Sequence, residues 1–264
     1  MKKIVFFDID GTIISETTRL IPDSTREAIN TLRANGHLAF INTGRPISEI
    51  TPTIKDLGFD GYICGCGTYV EYNNKILLHK KLGENLSKEI ALDMNKYDFE
   101  GILEGSKDIY WDYLDNIHND TVLALIDQHK YEGFYKGLTW HTDNVDIDKL
   151  VIFLKDTSNF SSFYDKYSPI LDFIKRNETF YELVPKGYSK GTGIKFICDY
   201  LNINHEDTYA IGDSTNDLPM LDYVPHSIAM GNSAQELFKS VEYITTAVDD
   251  NGIFNALKHY KLIK

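Results

Sequence analysis

The 264-residue chain has the length of one large domain or two small ones. Hydrophobic residues make up 42% of it and charged residues 25%, which supports a folded core and argues against a disordered chain. The net charge of −12 argues against non-specific binding to nucleic acid or to anionic membranes. It does not exclude phosphorylated substrates, because a bound metal ion or a lysine can reverse the local field.

The chain contains three cysteines, Cys64, Cys66 and Cys198, which is an odd and sparse set. Such a set predicts a reducing compartment rather than a disulfide framework, and we expect a cytoplasmic protein. Cys64 and Cys66 could form half of a zinc site, but small buried side chains are the favoured interpretation because no second pair is present. No stretch approaches the ~20 apolar residues of a membrane span.

The first predicted element is a strand over Ile4 to Phe7, four apolar residues without a break. Such a run indicates burial on both faces, as in a parallel sheet. Asp8 and Asp10 follow it, at the carboxyl edge where open α/β proteins bind ligands. Gly11 allows the backbone to approach a bound group. The alternative is that the two acids only end a strand and begin a turn.

The next elements alternate between helix and strand. A helix is predicted over residues 23–34, a buried strand over 38–42, and a helix that begins at Pro46 and is kinked or broken near Pro52. This alternation predicts parallel strands joined by right-handed crossovers. Thr43 lies between strand and helix, where a hydroxyl and backbone N–H groups suit a phosphoryl oxygen, although it could simply cap the helix.

A third strand is predicted over 61–64, and a hairpin with Asn73-Asn74 at its turn follows at the edge of the sheet. From Gly83 the alternation is lost, and we interpret residues 83–184 as a separate α+β module inserted into the first domain. Its predicted helices are 86–97, 116–129 and 159–167, and its predicted strands are 108–113, 150–154 and 178–184. Trp111, Tyr113 and Trp140 could line a substrate pocket, but packing within the module is favoured.

The alternation of strand and helix returns after Pro185. Lys190 lies in the first turn of a predicted helix, where a cation opposes the helix dipole but suits a bound anion. A short buried strand over 208–211 ends in polar residues that include Asp213, Asn216 and Asp217. Further strands are predicted over 226–230 and 243–246, and further helices over 233–239 and 252–260.

The acidic residues that follow these strands predict a metal site. Asp8, Asp10, Asp213 and Asp217 gathered at one sheet edge would repel one another without a cation. Ligands that are all oxygen atoms indicate a hard ion such as Mg²⁺. Together with Lys190, that ion would form a pocket for a dianionic phosphate.

Four motifs resemble, in order and spacing, those of the haloacid dehalogenase-like superfamily. They are Asp8-x-Asp10-Gly11-Thr12, Thr43-Gly44-Arg45, Lys190-Gly191 and Gly212-Asp213-x-x-Asn216-Asp217. The position of the insert, together with the segments 184–191 and 229–232, is similar to the Cof-type branch, subclass IIB. The resemblance implies an α/β fold with a Rossmann-like parallel-sheet core over residues 1–82 and 185–264, and an α/β cap over 83–184 that determines substrate specificity. The sequence departs from many relatives at Cys64-Gly65-Cys66-Gly67.

The resemblance also implies roles for individual residues. Asp8 would be the nucleophile that forms an aspartyl-phosphate, and Asp10 the general acid and base. Mg²⁺ would be bound by the Asp8 carboxylate, the Asp10 carbonyl and Asp213, with Asp217 supporting them. The expected phosphate-binding residues are Thr43, Gly44, Lys190 and Asn216.

The leading hypothesis is therefore a Mg²⁺-dependent phosphatase that hydrolyses small-molecule phosphate monoesters, with sugar phosphates expected. The first alternative is a phosphomutase that uses the same aspartyl-phosphate, and the second is a non-catalytic metabolite-binding relative. We expect a monomer or a weak homo-oligomer that binds neither nucleic acid nor membranes. The physiological substrate cannot be read from the sequence.

Overall fold

The structure is a computed structural model that describes residues 2–142 and 144–264. Within these residues the chain forms thirteen strands and eight α-helices, and each of those helices is too short or too polar to cross a lipid bilayer. Strands β1 to β13 are Ile4–Phe7, Leu38–Asn42, Gly61–Cys64, Tyr69–Tyr72, Lys75–His79, Phe99–Glu104, Ile109–Tyr110, Lys149–Leu154, Leu171–Lys175, Phe180–Pro185, Thr208–Gly212, His226–Ala229 and Tyr243–Ile244. Helices α1 to α8 are Asp23–Ala34, Pro52–Lys55, Glu84–Lys96, Asp120–Glu132, Phe160–Tyr167, Lys190–Leu201, Leu218–Leu221 and Gly252–His259.

The chain forms two compact units. The first comprises the residues up to Gly44, Pro52–Leu78 and Ser189–Lys264, and the second comprises Arg45–Thr51 and His79–Tyr188. Segments 45–51, 79–82 and 185–188, which the sequence assigns to the core, thus lie with the second unit. Hydrogen bonds hold all three segments there. Ser48 Oγ donates to the Gly105 carbonyl at 2.8 Å, and the amides of Leu82 and Lys186 donate to the Ile147 and Ile170 carbonyls, both at 2.9 Å.

The first unit is built on an eight-stranded sheet of order β13-β12-β11-β1-β2-β3-β4-β5. The strands from β13 to β3 are parallel, and β4 pairs with β3 in the antiparallel sense. β1 lies between β11 and β2, and its four residues are completely buried, as their unbroken apolar run predicts. The α/β fold class is therefore confirmed, and the carboxyl ends of β1, β2 and β11 meet at one edge of the sheet.

Helices α6 and α7 pack on the sheet through a shared apolar cluster that includes Phe6, Phe40, Ile194 and Met220. Helices α1 and α8 pack against each other. The predicted hairpin is also present, because Asn73 and Asn74 both have positive φ values, 48° and 60°, as a two-residue turn between twisted strands requires.

One predicted helix is broken as expected, and another does not form. The helix expected from Pro46 is broken into a 3₁₀ turn over Ile47–Glu49 and the single turn of α2, which begins at Pro52. This agrees with the break that proline was expected to cause. The helix expected over 233–239 is wrong, since only a 3₁₀ turn over Leu237–Lys239 forms. Leu237 is the buried side chain of that turn, which is too little apolar surface to stabilise a longer helix.

The second unit has a five-stranded sheet of order β7-β6-β8-β10-β9 with antiparallel pairing. One apolar cluster includes Ile90 of α3 and Phe163 of α5, and another includes Ile126 of α4. Strands β6 and β9 were not predicted. In β6 the two glutamates interrupt the apolar pattern, yet both are buried with partners. Lys149 on the neighbouring strand lies 2.5 Å from Glu104, and Glu100 accepts hydrogen bonds from the amides of His118 and Asn119 at 3.0 and 2.7 Å.

The aromatic residues singled out in the insert divide into two groups. Trp111 and Trp140 are 1% and 3% exposed, so packing within the module is the correct interpretation for both. Tyr113 is 54% exposed and stacks on the His141 ring at a centroid distance of 4.4 Å.

Candidate active site

The two acids that follow β1 lie in different surroundings. Asp8 still follows the strand, because its amide donates to the Ile211 carbonyl at 3.0 Å. The chain then turns sharply, and the amides of Thr12, Ile13 and Ile14 all donate to the Ile9 carbonyl, at 3.3, 2.9 and 2.9 Å. Asp8 is therefore buried at the strand end, whereas Asp10 lies within the turn and is partly exposed.

Asp213 lies beside Asp8 because β11 pairs with β1 in parallel and both strands end at the same level. Thr12 Oγ1 donates to Asp213 Oδ1 at 3.2 Å. Gly11 has φ +76°, and a Cβ atom at this position would lie 2.2 Å from Asp213 Oδ2. Only glycine allows both this backbone conformation and this close approach.

Asp217 holds the backbone of the loop that carries Asp213. Its Oδ2 atom accepts hydrogen bonds from the amides of Asp213 and Ser214, at 2.9 and 3.1 Å. Asn216 lies in the same 3₁₀ turn, and its amide oxygen accepts a hydrogen bond from the Ser214 hydroxyl. Asp217 thus fixes the backbone that carries Asp213.

Lys190 is the first residue of α6 and is 1% exposed. Its Nζ atom donates to Asp8 Oδ1 at 2.6 Å and to Asp217 Oδ1 at 2.5 Å. The helix start is set by a capping box between Ser189 and Thr192, and Asn42 Nδ2 donates to the Lys190 carbonyl at 3.0 Å. The lysine is held in place by both its backbone and its ammonium group.

The charges at this site do not balance. Burial, reinforced by the charge of Asp217 and opposed by Lys190, raises the pKa of Asp8 to about 7. Burial and the charges of Asp8 and Asp217 raise the pKa of Asp213 to about 8. Burial alone would lower the pKa of Lys190, but Asp217 and Asp8 raise it above the usual range of a lysine. The site is therefore negatively charged when its acids ionise, and a cation would relieve the repulsion.

The donor atoms fit a hard divalent cation. Carboxylate oxygens of Asp8, Asp213 and Asp217 lie within 4.8 Å of one another, and all three residues are buried. Both oxygens of Asp217 already accept hydrogen bonds, which leaves Asp8 and Asp213 as the better carboxylate ligands. An all-oxygen set of this kind suits Mg²⁺. Asp10 is not part of this carboxylate cluster, and the sequence assigns only its carbonyl to the metal.

Thr43 directly follows β2 and is 1% exposed. Its carbonyl accepts a hydrogen bond from the Cys66 amide at 3.1 Å. Cys66 belongs to a turn, residues 65–67, in which all three residues have positive φ values. A Cβ atom on Gly67 would lie 2.3 Å from the Ser189 carbonyl oxygen, so this turn packs directly against the start of α6. The unusual Cys64-Gly65-Cys66-Gly67 segment thus connects Thr43 with the lysine-bearing helix.

The structure brings Asp8, Asp213, Asp217 and Lys190 together, and it links Thr43 to them through the 65–67 turn. Gly44 follows Thr43 at the end of the first segment of this unit. Sequence reasoning missed the contacts of Thr12 and Asn42. Their positions in the sequence could have indicated these contacts, because Thr12 completes the first motif and Asn42 directly precedes Thr43.

Comparison with known proteins shows the family to which this chain belongs. A sequence model of the family described as haloacid dehalogenase-like hydrolase matches residues 5–257. A Bacillus subtilis protein named "Putative phosphatase YkrA" is 31% identical over 273 residues, which cover 99% of each chain. Another B. subtilis protein, named 5-amino-6-(5-phospho-D-ribitylamino)uracil phosphatase YwtE, is 27% identical and is matched over 95% of each chain.

A solved structure extends this likeness to three dimensions. The structure described as the HAD subclass IIB sugar phosphatase BT4131 is similar with a TM-score of 0.79 and 26% identity, covering 99% of this chain and 100% of that one. The family match spans nearly the whole chain, and the relatives are named phosphatases. The chain therefore belongs to the haloacid dehalogenase-like hydrolases and is a phosphatase of the subclass IIB type.

Proposed function

We propose that this phosphatase hydrolyses small-molecule phosphate monoesters with Mg²⁺ and through an aspartyl-phosphate on Asp8. The observation that carries the proposal is the buried cluster of Asp8, Asp213 and Asp217 with Lys190 among them. Burying several acids with shifted pKa values around one lysine costs stability. Such an arrangement is therefore expected mainly where a reaction requires it.

In the proposed reaction the Asp8 carboxylate attacks phosphorus, and the bond between phosphorus and the ester oxygen breaks. Asp10 donates a proton to the departing oxygen, which leaves as an alcohol. Asp10 then takes a proton from a water molecule that attacks the same phosphorus. The bond between phosphorus and the Asp8 oxygen breaks, which releases inorganic phosphate and regenerates the free Asp8 carboxylate.

Lys190 has two effects in this scheme. Its ion pair with Asp8 favours the ionised carboxylate, which is the form that can attack, against the opposing effect of burial. It also supplies a fixed positive charge for the phosphoryl oxygens, and we assign Thr43, Gly44 and Asn216 as their further hydrogen-bond donors. A bound Mg²⁺ would be held by Asp8, Asp213 and the Asp10 carbonyl, and would neutralise charge between phosphate and carboxylates.

We further propose that the substrate is a small phosphorylated metabolite, with sugar phosphates as the leading class. The named activities of the relatives support this, since YwtE is called a phosphatase of a phosphoribityl compound and BT4131 a sugar phosphatase. We assign the choice of leaving group to the inserted residues 83–184, because the core motifs are sufficient for the chemistry.

Three measurements test the proposal. Hydrolysis of 4-nitrophenyl phosphate should require Mg²⁺, disappear in Asp8→Asn and persist in Asp199→Asn, which changes an exposed acid on α6. Release of inorganic phosphate from glucose or mannose phosphates distinguishes hydrolysis from a mutase, which would return an isomerised sugar phosphate instead. Undiminished turnover in Asp8→Asn would refute the aspartyl-phosphate, and tight metabolite binding without turnover would favour a non-catalytic relative.

A further inference from the structure

The turn that carries Asp10 is tied to the C-terminal part of the first unit by Asn232. The Asn232 Nδ2 atom donates to the Gly11 carbonyl at 2.8 Å. Its Oδ1 atom accepts a hydrogen bond from the Val248 amide at 2.9 Å. One side-chain amide therefore joins the residue next to Asp10 to a backbone segment more than two hundred positions away.

The backbone of Asn232 is itself fixed by close packing. Gly231 donates its amide to the Thr246 carbonyl at 3.0 Å. A Cβ atom on Gly231 would lie 2.7 Å from the Ala247 nitrogen, so only glycine allows the two segments to approach this closely. This close packing accounts for Gly231 in the segment 229–232, to which the reaction proposed above assigns no residue.

A second contact connects the far end of the same turn to the same segment. Ser15 Oγ donates to Asp249 Oδ2 at 2.9 Å and accepts hydrogen bonds from the amides of Thr17 and Thr18, at 3.2 and 3.1 Å. The turn over residues 9–15 is thus attached at Gly11 and at Ser15 to residues 248 and 249. Between these attachments the chain has the internal bonds to the Ile9 carbonyl described above.

We propose that Asn232 is a positioning residue for the general acid Asp10, an inference that rests on the proposed phosphatase function. Gly11 has φ +76° and no side chain, and the peptide that carries its carbonyl is otherwise held by the 3.3 Å bond from the Thr12 amide to the Ile9 carbonyl, so losing the Asn232 bond would let this peptide shift. A shift there displaces the adjacent Asp10. A general acid displaced by about 1 Å loses much of its effect because proton transfer needs hydrogen-bond geometry. Asn232 does not touch the phosphate in this scheme and acts through Gly11.

Leaving-group dependence tests this role, because an acid matters more when the departing oxygen is more basic. We would measure kcat/KM for phenyl phosphate and for 4-nitrophenyl phosphate, whose leaving group needs little protonation. In Asn232→Ala we expect a loss of about tenfold on phenyl phosphate and about twofold on 4-nitrophenyl phosphate. Asp10→Asn gives the reference pattern of a missing acid.

The controls separate positioning from general damage. Asn35→Ala removes a bond of the same kind, from Nδ2 to the Leu262 carbonyl at 2.8 Å, elsewhere in the first unit, and should leave both rates unchanged. Asn232→Asp keeps the shape and the acceptor for Val248 but removes the donor to Gly11, so it should reproduce the pattern of Asn232→Ala. It also provides the comparison if the alanine variant does not fold.

The outcomes are distinct. Equal losses on both esters, or no loss on either, would overturn the role of Asn232 while the phosphatase proposal stands. A wild-type protein that hydrolyses neither ester would overturn the phosphatase proposal and this inference with it. A loss concentrated on phenyl phosphate in both Asn232 variants would support the inference.

Discussion

Lys190 Nζ lies 2.6 Å from Asp8 Oδ1 and 2.5 Å from Asp217 Oδ1, and all three side chains are buried. The lysine comes from the start of α6, Asp8 from the end of β1 and Asp217 from the 3₁₀ turn that follows β11, so one ammonium group joins three parts of the first unit. The same ion pair thus has a structural effect and the proposed catalytic effect.

Removing this ammonium group should destabilise the protein. Lys190→Met leaves Asp8 and Asp217 buried without their cation, and we expect the free energy of unfolding to fall by about 3–5 kcal/mol. Urea denaturation of the metal-free protein measures the change. Lys195→Met on the same helix breaks only an exposed pair with Asp199 and should cost less than about 1 kcal/mol. Equal costs for the two variants would contradict the importance of the buried pair.

Mg²⁺ should stabilise the protein more at high pH. The pKa values of Asp8 and Asp213 rise on folding from 3.8 to about 7 and about 8. The stability that these acids contribute is fully present only below about pH 3.8, is lost progressively as the pH rises, and is completely lost once the pH has passed their folded pKa values of about 7 and about 8. A cation favours the ionised forms and offsets that loss.

We therefore expect the rise in Tm on adding saturating Mg²⁺ to be about 5 °C at pH 8 and much smaller at pH 5.5. Thermal unfolding at both pH values measures it. Asp213→Asn should remove most of the effect at pH 8, whereas Asp199→Asn should preserve it. A rise in Tm that is the same at both pH values would show that the cation binds elsewhere.

The 65–67 turn should tolerate little change. Gly67 has φ +89° and lies so close to the Ser189 carbonyl that a Cβ atom would fall 2.3 Å from its oxygen. Gly67→Ala should therefore displace the start of α6, lowering the unfolding free energy by about 2–4 kcal/mol and reducing activity. Gly36→Ala is the matched control, because Gly36 has φ +85° but no atom within 4 Å of the added Cβ. It should cost about 1–2 kcal/mol from backbone strain alone.

The second unit contains a buried lysine, Lys149, that lies between two glutamates. Lys149 lies 2.5 Å from Glu104 and 2.7 Å from Glu182, and the pKa of Glu104 is raised to about 7, chiefly by burial and against the effect of Lys149. Lys149→Met should lower the unfolding free energy by about 3–5 kcal/mol at pH 8.

Without Lys149 the pKa of Glu104 should rise further, so at pH 5 its carboxyl is neutral and needs no charged partner. The loss of stability should therefore be smaller at pH 5. Urea denaturation at the two pH values measures the difference. Lys155→Met, which breaks a more exposed pair with Asp98 in the same unit, should show little dependence on pH over this range. A pH-independent loss in Lys149→Met would contradict the role assigned to Glu104.

The sequence alone determined the order of the core elements. Unbroken apolar runs such as Ile4 to Phe7 favour strands in the middle of a parallel sheet, and the polar residues after them are then expected at one edge. The bounds of the first helix and the hairpin turn at Asn73-Asn74 also follow from local signals.

Only the tertiary structure decided the contacts that residues distant in the chain make with one another. β6 could not be predicted from the sequence because its glutamates break the apolar pattern. Glu104 is buried against Lys149 of another strand, and Glu100 against the backbone amides of residues 118 and 119. The ion pairs of Lys190 and the hydrogen bonds of Asn232 join positions that no local pattern relates. The hydrophobic pattern of a segment predicts which of its faces are buried. The residues that each side chain contacts depend instead on how the whole chain packs.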